Sequence, residues 1–351
     1  VAQYRSQLGL DPDPTLQRPE SAALVEFAHT PHFGHLGFLR MMLVAAARAA
    51  ATTSGVLLFC LNDHVAANAL PNLRHIPMWR GGEPMRQPPR LGISGADSSR
   101  PLLFVPPPGP ESLRAAQASL HEVLAFQASQ GPKKLRKEST RRLPGLFDWL
   151  IEQAGQTRNL ADWATRCLIL WLQQVLPELS VWPLPSRRLL AACPEQTRQL
   201  HDRRQQIAKI QNEWSQRQGD WPEWSQMRPA ASNYQLFHGL CASCRRCLSL
   251  GQEHEHPLEW APKVIARQPL ADSLGLELRV CGGPRGYWKV AAEVSHLLGL
   301  SVPPRLSVTG TVEVGAEPCP STLSMLAQAD LLHWFAPLAH SLPTENLRLS
   351  C

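Results

Sequence analysis

Charge is scarce in this chain: Asp, Glu, Lys and Arg make up only 18% of its 351 residues, while 44% are hydrophobic. That balance excludes general disorder, which needs high charge and low hydrophobicity, and it leaves enough apolar mass for one large domain or two ordinary ones. There is no internal repeat and no long low-complexity segment, which excludes a solenoid or a fibrous array. No basic, apolar and small-residue pattern opens the sequence, so no secretory leader is read there. No apolar run spans a membrane: Leu36 to Leu61 is interrupted by Arg40, Arg48 and the Thr52-Thr53-Ser54-Gly55 break. The nine cysteines are odd in number and irregularly spaced, which points away from a disulfide framework. The expectation is a cytoplasmic protein, not membrane-bound, whose cysteines are thiols, metal ligands or catalytic groups. The net charge of +6 is not gathered into a patch. It suits an anionic small ligand, with RNA a weaker expectation.

The segment from Val25 to Asn68 carries the most information. A short apolar run from Ala22 to Ala28 ends in His29-Thr30-Pro31-His32-Phe33-Gly34-His35. Helical spacing follows to Ala51, and then the continuous apolar run Val56 to Leu61 ends in Asn62-Asp63-His64. This reads as strand, turn, helix, strand: an α/β protein with a parallel sheet covered on both faces. Ligands of such sheets bind at the carboxyl ends of the strands, where turns and helix N-termini face a crevice. His29, His32, His35, Asn62, Asp63 and His64 stand at two such ends. A carboxylate beside an imidazole there can be tuned toward neutral pH and can hold or deprotonate an amine. A hydrogen-bonded turn after a buried strand is the plainer alternative.

The rest divides as an irregular N-terminal arm at 1–21, the first half of the core at 22–130, a basic linker with further core elements at 131–185, a helical insertion at 186–260 and the second half of the core at 261–351. Gly55 is read as the residue that stops the first long helix. Leu102 to Val105 reads as a strand among loops, Pro110 to Ser129 as a helix, and 133–142 as the basic linker. Leu146 to Gln153 reads as a short helix. Asn159 caps another that runs to Leu176. A strand follows at Leu179 to Pro183, and a charged helical stretch at Glu195 to Arg217. A strand pair is expected near Val264 and at Leu276 to Val280, then the turn Gly282-Gly283-Pro284 and a helix from Tyr287 to Leu298.

Cys241, Cys244 and Cys247, followed by His254 and His256, have thiolate and imidazole spacing for a metal. Zinc takes four such ligands tetrahedrally, so three cysteines and one histidine would close a structural site. On a continuous helix the same three cysteines would instead share a core face. Gly282 and Gly283 could cradle phosphate, with Arg285 adding charge. Tyr287 and Trp288 could stack on a ligand or pack in the core, and Arg267 could bind a carboxylate or lie on the surface.

His32-Phe33-Gly34-His35 resembles the His-x-Gly-His signature of class I aminoacyl-tRNA synthetases and nucleotidyltransferases, which sits between strand and helix. In that setting two imidazoles meet phosphate oxygens, and the glycine admits the nucleotide. No convincing Lys-Met-Ser-Lys-Ser partner accompanies it. Pro262-Lys263-Val264 through Leu270, then Val280-Cys281-Gly282-Gly283-Pro284 and Tyr287-Trp288, resemble a block of the cysteine-adding ligases of bacillithiol biosynthesis. Leu160-Ala161-Asp162-Trp163-Ala164-Thr165-Arg166 before Leu179-Ser180-Val181, and Leu61-Asn62-Asp63-His64 through Asn68, are similar to two further segments of that family, in the same order. The resemblance covers roughly residues 22 to 305, with the family's glycine- and glutamine-rich first turn replaced by the histidine turn. It implies a Rossmann-like parallel sheet with helical and loop-rich insertions, and an enzyme joining cysteine's carboxyl to a small amine. Asp63, His64, His32 and His35 would then be catalytic. His29, His32, Gly34, His35, Gly282, Gly283 and Arg285 would hold ATP, ADP or an activated carboxyl. Asn62, Asn68, Arg267, Tyr287 and Trp288 would contact substrate. Transfer to tRNA, or a zinc-stapled binding module without catalysis, are the alternatives.

Overall fold

The computed structural model describes residues 1–31, 36–66, 79–80, 83–84, 97, 99–129, 133–217, 229–250, 253–281 and 285–307. Ten strands and ten helices are placed among them, besides short 3-10 turns. In chain order they are α1 (Ala2–Gln7), β1 (Ala23–His29), α2 (Leu36–Ala51), β2 (Gly55–Leu61), β3 (Trp79–Arg80), β4 (Glu83–Pro84), α3 (Pro110–Ser129), α4 (Lys133–Gly155), α5 (Leu160–Val175) and β5 (Ser180–Pro185). Then come α6 (Leu189–Ala192), α7 (Pro194–Asp202), α8 (Arg204–Gln216), β6 (Phe237–Cys241), β7 (Arg246–Ser249), β8 (Glu259–Pro262), α9 (Val264–Asp272), β9 (Leu276–Cys281), α10 (Arg285–Leu297) and β10 (Arg305–Ser307).

Five strands form one sheet in the order β10-β9-β1-β2-β5, and every neighbouring pair is parallel. The fold is α/β with a Rossmann-like sheet. Counted within the sheet, the order is third-second-first-fourth-fifth, that of a doubly wound fold, whose order reverses between β1 and β9. Alternation along each strand explains the two covered faces. Val25 and Phe27 of β1 and Leu57, Phe59 and Leu61 of β2 join one apolar core with α2, α3, α4 and α5. Ala28 of β1 and Val56, Leu58 and Cys60 of β2 join the other with α9 and α10. β5 carries Pro183 and Pro185 and lies at the sheet edge, where a missing N–H costs least.

Several segments depart from what the sequence alone suggests. The N-terminal arm is not irregular. Its helix α1 buries Tyr4, and Leu8 just beyond it is buried too. Tyr4 Oη donates to Asp162 at 2.8 Å, while Arg166 Nη1 donates to the carbonyl of Gly9 at 2.7 Å. Buried side chains far along the chain, invisible to local periodicity, order it.

Leu102 to Val105 is not a strand but a 3-10 turn. Its amides satisfy carbonyls at the exit of β2: Leu102 donates to Val65 at 3.0 Å and Leu103 to Asp63 at 3.1 Å. The basic run 133–142 is not a linker and Leu146 to Gln153 is not a separate helix, because both lie in α4. Pro144 sits inside that helix on its exposed side, where the carbonyl it leaves unpaired can meet water. Val264 starts a helix rather than a strand. Gly55 does not supply the left-handed turn after α2, since Ser54 does, at φ 54°. Gly55 is needed for closeness: a Cβ there would lie 2.0 Å from the Ala49 carbonyl oxygen.

No helix among the described residues is long and apolar enough to cross a membrane.

Candidate functional site at the carboxyl ends of the strands

Parallel pairing puts the exits of all five strands on one edge. Leu61 is opposite Pro185, so the residues that follow β2 and β5 are neighbours. Asp63 and His64 follow β2, and both are buried. Arg187 Nε donates to Asp63 Oδ2 at 2.9 Å, and its Nη1 pairs with Glu259 of β8. Asp63 Oδ1 is also buried, and no hydrogen bond reaches it among the described residues. Burial pushes the Asp63 carboxyl above its usual range, and Arg187 opposes that rise.

His64 turns its Nδ1 toward Ser186 Oγ, 3.4 Å away, and its ring lies 5.9 Å from that of His238 on β6. Burial, followed by the nearby charges of Arg267 and Arg187, lowers His64 to about 4. Burial and His64 lower His238 to about 4 as well. Both imidazoles are therefore neutral at pH 7. Asp162, capped into α5 by Asn159, holds Tyr4 nearby and feels the charge of Asp63.

The neutral histidines carry a pH prediction. A histidine whose folded pKa lies below its unfolded value binds more protons when the chain unfolds, so stability falls as pH falls through the window between them. The window here runs from about 6.5 down to about 4. His64 accounts for a loss on the order of 3 kcal/mol across it, and the less buried His238 for a smaller part. Urea midpoints at pH 7 and pH 5 should show the drop, and His64→Gln should flatten it. An unchanged pH slope in that variant would refute the assignment.

The other candidates separate. His29 ends β1, but its Nδ1–H donates to the Thr30 carbonyl at 2.9 Å and its ring packs edge-on against Phe38 at 4.8 Å. Asn62 joins the two strand exits through its backbone, donating to the His29 carbonyl at 3.1 Å. Arg267 is not on the surface. It meets a carboxylate of the protein itself, donating to Glu26 at 2.9 Å. Trp288 is buried, with the Arg305 guanidinium 6.0 Å from its ring centre, and Tyr287 packs against the second core. His32, Gly34, His35, Asn68, Gly282 and Gly283 lie outside the described residues, as does the side chain of Arg285.

The cysteine cluster is on a hairpin, not a helix, so the shared-core-face alternative is excluded. β6, β7 and β8 form an antiparallel sheet in the order β7-β6-β8. Cys241 ends β6, Cys244 is in the turn, and Cys247 lies in β7. The donor atoms of Cys241, Cys244 and His254 lie within 4.8 Å of one another. Cys247 is not in that group, nor is His256, whose ring centre is 5.8 Å from that of His254. Register explains the exclusion of Cys247. It pairs with Leu240, one residue before Cys241, so its side chain leaves the opposite face. The hydrogen bond from the Cys244 amide, then His254, pulls the Cys241 thiol down to about 6.

Sequence reasoning missed Arg187, His238, Glu259 and Glu26. The strand-exit rule that finds Asp63 also points to Arg187, two residues past β5. Nothing local marks His238 or Glu259, which arrive from the inserted sheet. No protein-family model matches the chain, and no curated protein matches it.

Proposed function

We propose that this chain is an enzyme that takes a phosphate-bearing small molecule, ATP, ADP or an acyl phosphate, beside β1 and β9 and forms an amide between an amino acid and an amine. One observation carries the reading: the sheet order reverses between β1 and β9. In doubly wound sheets the crevice at that reversal is the usual ligand site. The chain leaves β1 into His32-Phe33-Gly34-His35 and leaves β9 into Gly282-Gly283-Pro284. These are the two segments with phosphate-binding composition. The likeness to cysteine-adding ligases supplies the reaction class, with cysteine as the amino acid.

In this reading His32 and His35 donate hydrogen bonds to phosphate oxygens as negative charge builds on them. With ATP bound, the amino-acid carboxylate first attacks the γ-phosphorus and ADP leaves. The amine nitrogen then attacks the acyl carbon of the acyl phosphate. Inorganic phosphate leaves with the C–O bonding electrons and takes up the proton that the amine gives up. Asp63 carries the negative charge that draws a substrate ammonium to the strand ends, and Arg187 holds that carboxylate in place. His64 stays neutral and fixes the β2 exit against β5.

Thermal denaturation with ATP, ADP, inorganic phosphate and free cysteine tests the proposal. A ligand at a hundredfold excess over its Kd stabilises by about 2.7 kcal/mol, a shift of several degrees. The shift with nucleotide should vanish in His32→Ala/His35→Ala while the unliganded Tm stays put. Absence of any shift with the wild type, or an equal shift in the double variant, would overturn the phosphate role.

A further inference from the structure

The geometry points to a zinc ion held by Cys241, Cys244 and His254, and we propose that this ion clamps the inserted sheet onto the strand ends of the core. Tetrahedral zinc with sulfur at about 2.3 Å and nitrogen at about 2.1 Å separates those two ligands by about 3.6 Å. Cys244 Sγ and His254 Nε2 are 3.8 Å apart, so an ion fits between them with a shift of tenths of an ångström. The turn is shaped for two thiolates. The Cys244 amide donates to Cys241 Sγ at 3.3 Å, and Arg245 adopts a left-handed backbone at φ 56° that reverses the chain into β7. Cys244 is exposed, so metal can reach the site without unfolding. His256 lies outside this group of three, its ring centre 5.8 Å from that of His254.

The clamp follows from the sheet register. His238 and Glu259 share a face with Leu240, because His238 is two residues before Leu240 on β6 and Glu259 pairs with Leu240 across to β8. That face meets the core through the His238–His64 ring contact and the Glu259–Arg187 pair. Cys241 points from the opposite face. The sheet is short, with four or five residues per strand, and so small a sheet has little apolar area to hold its own shape. Tying Cys241 at the end of β6 to His254, in the connection to β8, closes the loop between the two strands that carry His238 and Glu259. The zinc assignment stands whatever ligand the strand ends take.

The test uses the full chain, purified under reducing conditions and incubated with zinc chloride, then freed of excess metal. One equivalent of zinc is expected. Cobalt(II) in its place should show thiolate charge-transfer and tetrahedral d–d bands. Cys244→Ser and His254→Ala should each weaken zinc binding tenfold or more, while Cys247→Ser keeps one equivalent; circular dichroism establishes that each variant is folded. For the clamp, chelation should speed amide exchange at Gly239 and Leu240 by tenfold or more while β1 and β2 keep their protection. A folded wild type that takes up no zinc or cobalt overturns the site. So does a Cys241–Cys244 disulfide formed in its place, or equal loss of metal in Cys247→Ser. Unchanged exchange on chelation overturns the clamp.

Discussion

Glu26→Ala is expected to destabilise the chain by about 3–5 kcal/mol, the cost of removing one partner of a buried ion pair. Glu26 lies in the middle of β1 and is fully buried. It pairs with Arg267 of α9 at 2.9 Å and with Arg279 of β9. Arg279 also reaches Asp272 at 2.6 Å, and Asp272 accepts from Ser295 of α10 at 2.6 Å. Alanine at 26 leaves two buried guanidinium groups facing one carboxylate. Its effect exceeds that of an ordinary core truncation because an uncompensated charge remains inside. Urea unfolding of the wild type and variant measures it. Replacing Glu26, Arg267 and Arg279 together by apolar residues of similar volume should recover part of the loss. A Glu26→Ala protein within 1 kcal/mol of wild type would show that the network contributes little.

Arg187→Met is the second large effect. It leaves Asp63 buried without its cation, at a cost of about 3 kcal/mol at neutral pH. The pH dependence identifies the cause. Burial already raises Asp63, and Arg187 opposes the rise, so the variant's Asp63 goes higher still. A carboxyl whose folded pKa lies above its unfolded value binds more protons in the folded chain, so stability rises as pH falls through the folded pKa down to the unfolded one. The difference between Arg187→Met and wild type should therefore be largest at neutral and alkaline pH and should shrink in acid. A difference that does not vary with pH would mean that lost packing, not the stranded carboxylate, explains the damage. In the proposed reaction the same variant also loses the held carboxylate that draws the amine, and turnover falls with stability.

The legible parts of this chain were those where local pattern and tertiary environment agree. β1 and β2 are largely apolar runs between turn residues, and β9 alternates apolar with charged residues. The helix from Leu160 carries a capping asparagine whose side chain accepts from the Asp162 amide at 2.9 Å. Gly299, with φ 73°, ends the stretch after α10 where the pattern stops. The misread segments were those whose conformation answers to distant partners. α1 owes its order to Asp162 and Arg166, and the 102–105 turn to two carbonyls at the exit of β2. α4 runs through a proline that composition marks as a break. At the cysteine hairpin, spacing named five donors; strand register sets Cys247 apart, and the fold gathers Cys241, Cys244 and His254.

Composition and periodicity by themselves determined the class: an α/β chain with a parallel sheet covered on both faces, and polar groups gathered at strand exits. Those features follow from which residues must leave water, and each is written locally. Only the tertiary structure decided the order of the strands, and with it the place where the sheet reverses. It also brought Arg187, His238 and Glu259 to Asp63 and His64. Strand exits mark Asp63 and Arg187 separately, but the pairing of residues 124 positions apart is written in neither neighbourhood, because what selects the partner is a shared burial that exists only once the chain has folded.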